Sequence, residues 1–231
     1  MAAAAWASRV LDLVYPRSCE RCGARLEGAD MDLTCADCAP CAEWIEGPAC
    51  PRCGAERAPF GCPECRGRAF PFRGAVAAGR YAGFVRDLVH KLKFGGRTDL
   101  ARPLARRLAG RVAAAPWGAS VRTVVPVPMR RLKLLFERGY NPAELLAGRL
   151  ARELGRPMRR WLAQVRPTPS QTSLSGGERR RNPRGAYRAP RGRGVVLLVD
   201  DVLTTGATAG ECARALKTAG ASAVYLAVVG R

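Results

Sequence analysis

The stretch Val195-Val-Leu-Leu-Val-Asp-Asp-Val-Leu-Thr-Thr-Gly-Ala-Thr208 decides how the rest of the chain is read. Residues 195–199 form a short, wholly apolar, mostly β-branched run. It is too brief for a helical core, so it predicts a strand buried on both faces of a parallel sheet. Asp200 and Asp201 stand where that strand ends, and Thr204, Thr205, Gly206, Ala207 and Thr208 follow as a hydroxyl-rich turn. Ala209, Cys212, Ala213, Leu216 and Ala219 then recur at helical spacing up to Gly220. The order is strand, acid pair, turn, helix N-terminus.

That order suits a sugar phosphate. Free N–H groups at a helix start face an anion, and the helix dipole favours negative charge there. Gly206 allows close backbone approach and the threonines add hydroxyl donors. The two carboxylates repel phosphate, but they accept hydrogen bonds from adjacent sugar hydroxyls or help to hold magnesium. A threonine N-cap beside two solvated acids is the plainer alternative. It accounts for each part singly but not for their order.

Residues 196–208 resemble the phosphoribosyl-pyrophosphate (PRPP) signature of type I phosphoribosyltransferases. The resemblance implies that Asp200 and Asp201 hold the ribose hydroxyls. It also implies that Thr204, Thr205, Gly206, Ala207 and Thr208 bind the 5-phosphate.

The chain has 231 residues and 48% apolar content, enough for one medium domain and a small one. Its formal charge is +20, unevenly spread: residues 1–70 carry a net −2 and residues 71–231 a net +22. The asymmetry points to a polyanionic partner for the second part. Only four lysines occur, so a general preference for arginine also contributes. No apolar run approaches the roughly 20 residues of a membrane span, and the start lacks the basic region of a signal peptide. The expected compartment is cytoplasmic.

Eight of the ten cysteines form C-x-x-C pairs: Cys19/Cys22, Cys35/Cys38, Cys50/Cys53 and Cys62/Cys65. Gly23 and Gly54 directly follow two of them, as a tight metal knuckle requires. Four thiolates make a closed, structural zinc site, so eight predict two zinc ions. Consecutive pairing has the shortest loops, and interleaving remains open. A disulfide framework fits poorly without a signal peptide. Cys41 is left over, and Cys212 falls on the apolar face of the last helix. Ahead of the first pair, Trp6, Val10, Leu13 and Val14 recur at helical spacing. The expected domains are residues 1–70, an N-terminal helix and double zinc-finger module, and residues 71–231.

In the second part, residues 74–81 read as a strand. Val85, Leu88, Val89 and Leu92 predict an amphipathic helix whose other face carries Arg86, His90, Lys91 and Lys93. His90 is the only histidine, which disfavours histidine-based triads. A helix over 100–112 and a buried strand over 121–127 follow. Arg130, Arg131, Lys133 and Arg138 then form a basic loop at a strand's C-terminal edge, where open α/β sheets bind ligands. A helix starts at Pro142. Residues 159–193 hold ten arginines against one acid, Glu178, and include Arg179, Arg180 and Arg181. Turn-rich residues 167–177 precede that triplet, and such a cationic loop can close over a sugar phosphate or contact nucleic-acid phosphates. Residues 223–229 predict the last strand.

Taken with the paired cysteines and the acid–threonine signature, several further motifs resemble the ComF family. They are His90-Lys-Leu-Lys-Phe-Gly-Gly96, Val125-Pro-Val-Pro128, Arg138-Gly-Tyr-Asn141, Gln171-x-x-Leu174 and Glu178-Arg-Arg-Arg-Asn182. The resemblance implies a zinc finger joined to a type I phosphoribosyltransferase-like α/β domain, a parallel sheet with helices on both faces. It implies a role in DNA uptake and natural transformation, with a DNA-uptake helicase or other competence proteins as partners; the concentration of positive charge at 86–107 and 159–193 predicts single-stranded DNA as a further partner. PRPP with magnesium is the expected ligand. A true transferase and a non-catalytic PRPP sensor are the alternatives, and no residue is assigned a catalytic role.

Overall fold

The computed structural model describes residues 18–26, 33–58, 61–65, 68–129, 139–165, 185–192 and 194–231. The expected N-terminal helix lies outside these residues. So do Arg130, Arg131, Lys133, Arg138 and the triplet Arg179, Arg180 and Arg181. Two compact units are present, Met1–Ala42 and Glu43–Arg231.

The larger unit is built on a four-stranded sheet. Its strands are β1 (Gly74–Gly79), β2 (Thr123–Pro126), β5 (Val195–Val202) and β6 (Ala223–Gly230), in the order β1-β6-β5-β2, all parallel. The helices are α1 (Gly83–Phe94), α2 (Ala101–Ala113), α3 (Pro142–Glu153) and α4 (Ala207–Thr218). A two-residue antiparallel ladder, β3 (Ala163–Gln164) with β4 (Tyr187–Arg188), stands apart from the sheet.

Both faces of β5 are buried: Val196, Leu197, Leu198 and Val199 are fully shielded from solvent. Alternate residues serve different layers. Val196 and Leu198 share a core with Ala209, Cys212, Ala213 and Leu216 of α4. On the other face, α3 packs on β2 and β5, and α2 packs on α3 and β1. This is the expected α/β class, a parallel sheet with helices on both faces.

Exposed sheet edges invite foreign strands, and here β1 is covered by the chain's own preceding segment. Ile45 N donates to Ala78 O at 2.9 Å, Arg80 N to Glu43 O at 2.8 Å and Ala75 N to Pro51 O at 3.2 Å. Gly54, at φ +76°, bridges Val76, and a Cβ there would lie 2.8 Å from Ala77 N. The second cysteine cluster is therefore seated on the sheet edge. Glu43 does more than cover: α1 has Ala82 at its N-cap and no local side-chain cap, and Glu43 Oε2 accepts from Phe84 N at 2.9 Å. A carboxylate from 41 residues upstream thus satisfies an orphan N–H and complements the dipole.

Candidate functional site

Each cysteine cluster is built from a repeated knuckle. In the smaller unit Cys19 N donates to Ala24 O at 2.7 Å and Gly23 N to Cys19 O at 2.9 Å. In the larger unit Cys50 N donates to Ala55 O at 2.7 Å and Gly54 N to Cys50 O at 2.8 Å. Gly23 and Gly54 both adopt positive φ, as the position requires. The clusters are Cys19/Cys22/Cys35/Cys38 and Cys50/Cys53/Cys62/Cys65, the consecutive pairing, with all ligand atoms of a cluster within 4.8 Å of one another. Sulfur–sulfur distances are 3.7 Å for Cys22–Cys35 and 3.5 Å for both Cys50–Cys65 and Cys53–Cys62. A tetrahedron with Zn–S bonds of about 2.3 Å sets sulfurs ~3.8 Å apart, so the geometry fits zinc. Two structural zinc sites result, neither with a non-cysteine position for chemistry.

One thiol in each cluster is held below its ordinary value. Burial works upward on Cys19, but backbone N–H groups of Cys22, Cys35 and Arg21 outweigh it and hold the thiol at about 6. Burial likewise acts upward on Cys50, and the N–H groups of Cys53 and Arg52 bring it to about 7. Their neighbours move the other way. Hydrogen bonding to Cys22, then burial, pushes Cys38 to about 12, and burial, then the contact with Cys50, does the same to Cys65. Four crowded sulfurs ionise together only with a metal between them. Cys41 is exposed and belongs to neither cluster. Cys212 is buried on α4, its thiol pushed up by burial and by the Asp200 and Glu211 charges, so it is inert core.

At the other constellation β5 runs three residues further than the apolar run suggests. Asp200 pairs with Val228 and Val202 with Gly230 in the β5–β6 ladder, so the acids sit on the last residues of the strand rather than after it. Asp201 N donates to Asp200 Oδ1 at 2.9 Å. Lys93 Nζ lies 2.8 Å from Asp201 Oδ1, both side chains largely buried. This corrects the outward placement of Lys93 on α1: it continues the row Val85, Val89 at four-residue spacing and so points to the sheet. Burial, then the Asp201 charge, raises the Asp200 carboxyl to about 8, with the Asp201 N–H and Lys93 pulling the other way.

Leu203 is buried beneath the turn, while Thr204 and Thr205 are exposed and Gly206, Ala207 and Thr208 half-buried. Gly206 is the N-cap of α4, at φ +77°, so no side chain caps the helix there. The threonine N-cap alternative is not what forms. Thr205 Oγ1 accepts from Ala207 N at 3.4 Å, a long contact. A Cβ at Gly206 would lie 2.7 Å from Phe70 Cε1. The conformation and the close approach both demand glycine.

Two side chains that periodicity did not single out anchor the surroundings. Glu211, buried in α4, pairs with Arg214 and accepts from Gly185 N at 3.4 Å. That contact fixes Gly185 against the second turn of α4. Asn141 caps α3, its Oδ1 accepting from Ala143 N at 3.1 Å and its Nδ2 donating to Val127 O at 3.0 Å. Pro142 at the first helical position fits this cap. Tyr140 donates to Leu92 O at 2.6 Å. His90 is exposed and its ring lies 4.7 Å from that of Phe94. No helix among the described residues is long and apolar enough to cross a membrane.

Residues 10–66 match the double zinc ribbon domain family. The chain is 32% identical over 194 residues to DNA utilization protein YhgH of Escherichia coli (strain K12), covering 77% of this chain and 81% of the relative. It is 29% identical over 220 residues to Competence protein F of Haemophilus influenzae, covering 90% and 94%. Among solved structures, glutamine phosphoribosylpyrophosphate amidotransferase from B. subtilis, complexed with ADP and GMP, aligns at TM-score 0.39 and 22% identity, over 61% of this chain and 30% of that one. At this identity and coverage, the chain belongs to the ComF family.

Proposed function

We propose that this chain binds PRPP, or a closely related sugar phosphate, with magnesium at the β5–α4 turn, and that it handles single-stranded DNA during DNA uptake in the cytoplasm. The observation that carries the ligand reading is the succession Asp200, Asp201, Thr204, Thr205, Gly206, Ala207 and Thr208. It lies at the end of a buried strand and runs into a helix with no side chain at its N-cap. The uncapped N–H groups suit the 5-phosphate, and the carboxylates suit the ribose diol. The names of the relatives, DNA utilization protein and Competence protein F, support the DNA role. A DNA-uptake helicase or another competence protein is the expected protein partner. Arginines 130, 131, 138 and 179–181, with Lys133, are assigned to pyrophosphate or to nucleic-acid phosphates.

The test is thermal unfolding with PRPP and magnesium. A ligand that binds only the folded chain raises the melting temperature by mass action, about 2.7 kcal/mol at a hundredfold excess over Kd. Asp200→Asn with Asp201→Asn abolishes that shift while the fold persists. A double variant that responds like the parent removes the acids from the site. No shift with PRPP, ribose 5-phosphate or nucleotides removes the ligand reading itself.

A second reading, a true phosphoribosyl transfer, is favoured by one feature. Burial, then the Asp201 charge, pushes the Asp200 carboxyl up to about 8, toward the range in which a general acid or base works best. Pyrophosphate release with a panel of bases and amines separates transfer from binding alone.

A further inference from the structure

Arg231 follows β6 directly, and its side chain is 3% exposed. Its backbone is fixed on the sheet: Arg231 N donates to Gly79 O at 3.0 Å, and Arg231 O accepts from Tyr81 N at 2.8 Å. From that fixed base the guanidinium reaches in two directions. Nη1 donates to Leu203 O and Thr204 O, each at 3.0 Å, the two carbonyls that open the β5–α4 turn. Nη2 donates to Glu64 O at 3.3 Å, and Glu64 Oε2 lies 3.6 Å from Nη1. Glu64 belongs to the one-turn helix Pro63–Cys65, between the ligands Cys62 and Cys65.

We propose that Arg231 couples metal occupancy of the second cysteine cluster to the order of the 203–208 turn. A one-turn helix of three residues holds its shape through its ends, and here the side chains of Cys65 and the flanking Cys62 share one metal site, beside a backbone bond from Arg68 N to Cys65 O at 3.0 Å. With zinc bound, the carbonyl and carboxylate of Glu64 are fixed and hold one side of the guanidinium. Its planar fork is then aimed at Leu203 O and Thr204 O. With the metal gone, the Pro63–Cys65 turn loosens and the fork loses the partners that aim it. Leu203 O beneath the turn and the exposed Thr204 O are left with a less constrained donor, and the turn gains freedom. Arg231 is a positioning residue, acting on a ligand-binding backbone it does not itself complete. The coupling stands independently of which ligand the turn binds.

Hydrogen–deuterium exchange on the full chain reads this directly, with metal content measured alongside. In the parent protein, loss of the second metal through Cys62→Ser should speed exchange of amides 203–208 at least tenfold. Loss of the first metal through Cys35→Ser should leave them unchanged. Arg231→Met, which keeps both metals, should show the same acceleration, and adding Cys62→Ser to it should contribute no more. If the single cysteine variant does not fold, Arg231→Met in the zinc-loaded protein carries the test alone. Exchange at 203–208 that ignores either loss of the second metal or Arg231→Met overturns the coupling. Additive effects in the double variant overturn it equally. Since no sugar phosphate is used, a failure to bind PRPP leaves this result untouched, and the reverse also holds.

Discussion

Asp200→Asn should make the free protein more stable, and increasingly so as pH rises. Burial, then the adjacent Asp201 charge, lifts the Asp200 carboxyl from 3.8 to about 8. In the unfolded chain the group titrates near the ordinary value of about 3.9. Between about pH 4 and pH 8 the folded chain therefore holds a proton that the unfolded chain has released. Stability falls as pH rises through that window, by up to ~1.4 kcal/mol per pH unit, and the loss is complete above the folded value. Asparagine mimics the protonated acid in shape and carries no charge, so it removes this slope. From about pH 6 to about pH 8, a range that keeps the zinc sites loaded, the advantage of Asp200→Asn over the parent should grow by about 2 kcal/mol. Urea denaturation at several pH values, followed by circular dichroism, measures it. An advantage that stays flat with pH, or a variant less stable than the parent near pH 8, refutes the argument that Asp200 is held protonated by its surroundings. The same substitution should weaken PRPP binding, so the acid pair costs stability for the sake of a site.

Purified protein should carry close to two zinc ions per chain, and Cys53→Ser should carry one; metal analysis with thiol titration decides, and paired disulfides with no metal would contradict the zinc assignment. Gly206→Ala forces a Cβ against Phe70 and an unfavourable φ, so it should destabilise by about 1–3 kcal/mol and blunt any PRPP-induced thermal shift. Single-stranded DNA affinity should fall with salt at a log–log slope near −3 for about four phosphate contacts, and neutralising Arg179, Arg180 and Arg181 together should flatten it by about 2 while zinc content holds. A slope unmoved by the triple variant returns those arginines to the solvated surface.

What was legible in the sequence and what was not divides along a physical line. Buried strands announce themselves because residues 196–199 all avoid water, and the helices because a 3.6-residue period leaves one face apolar. The cysteine knuckles are equally local: two thiols three residues apart, with a glycine at the positive-φ position, specify their own turn. The residues that complete the β5–α4 turn answer to partners far away in the chain. Lys93 meets Asp201 from α1, Glu43 caps α1 from the segment before the sheet, and Arg231 joins Glu64 to Leu203. Periodicity classifies a charged residue by its own element alone, and so assigned Lys93 to the solvated face. Its place in the row of Val85 and Val89 was the available signal, since a lysine that extends an apolar row needs an anion at its end. Glu211 gave no such signal, being off the row defined by Ala209, Cys212, Ala213 and Leu216. Its burial follows from Gly185 and Arg214 closing over it. Apolar pattern thus predicts where backbone goes, because burial is a property of one residue at a time. Charge placement at a site is a property of pairs, and emerges only once the fold has brought Lys93 to Asp201 and Arg231 between Glu64 and Leu203.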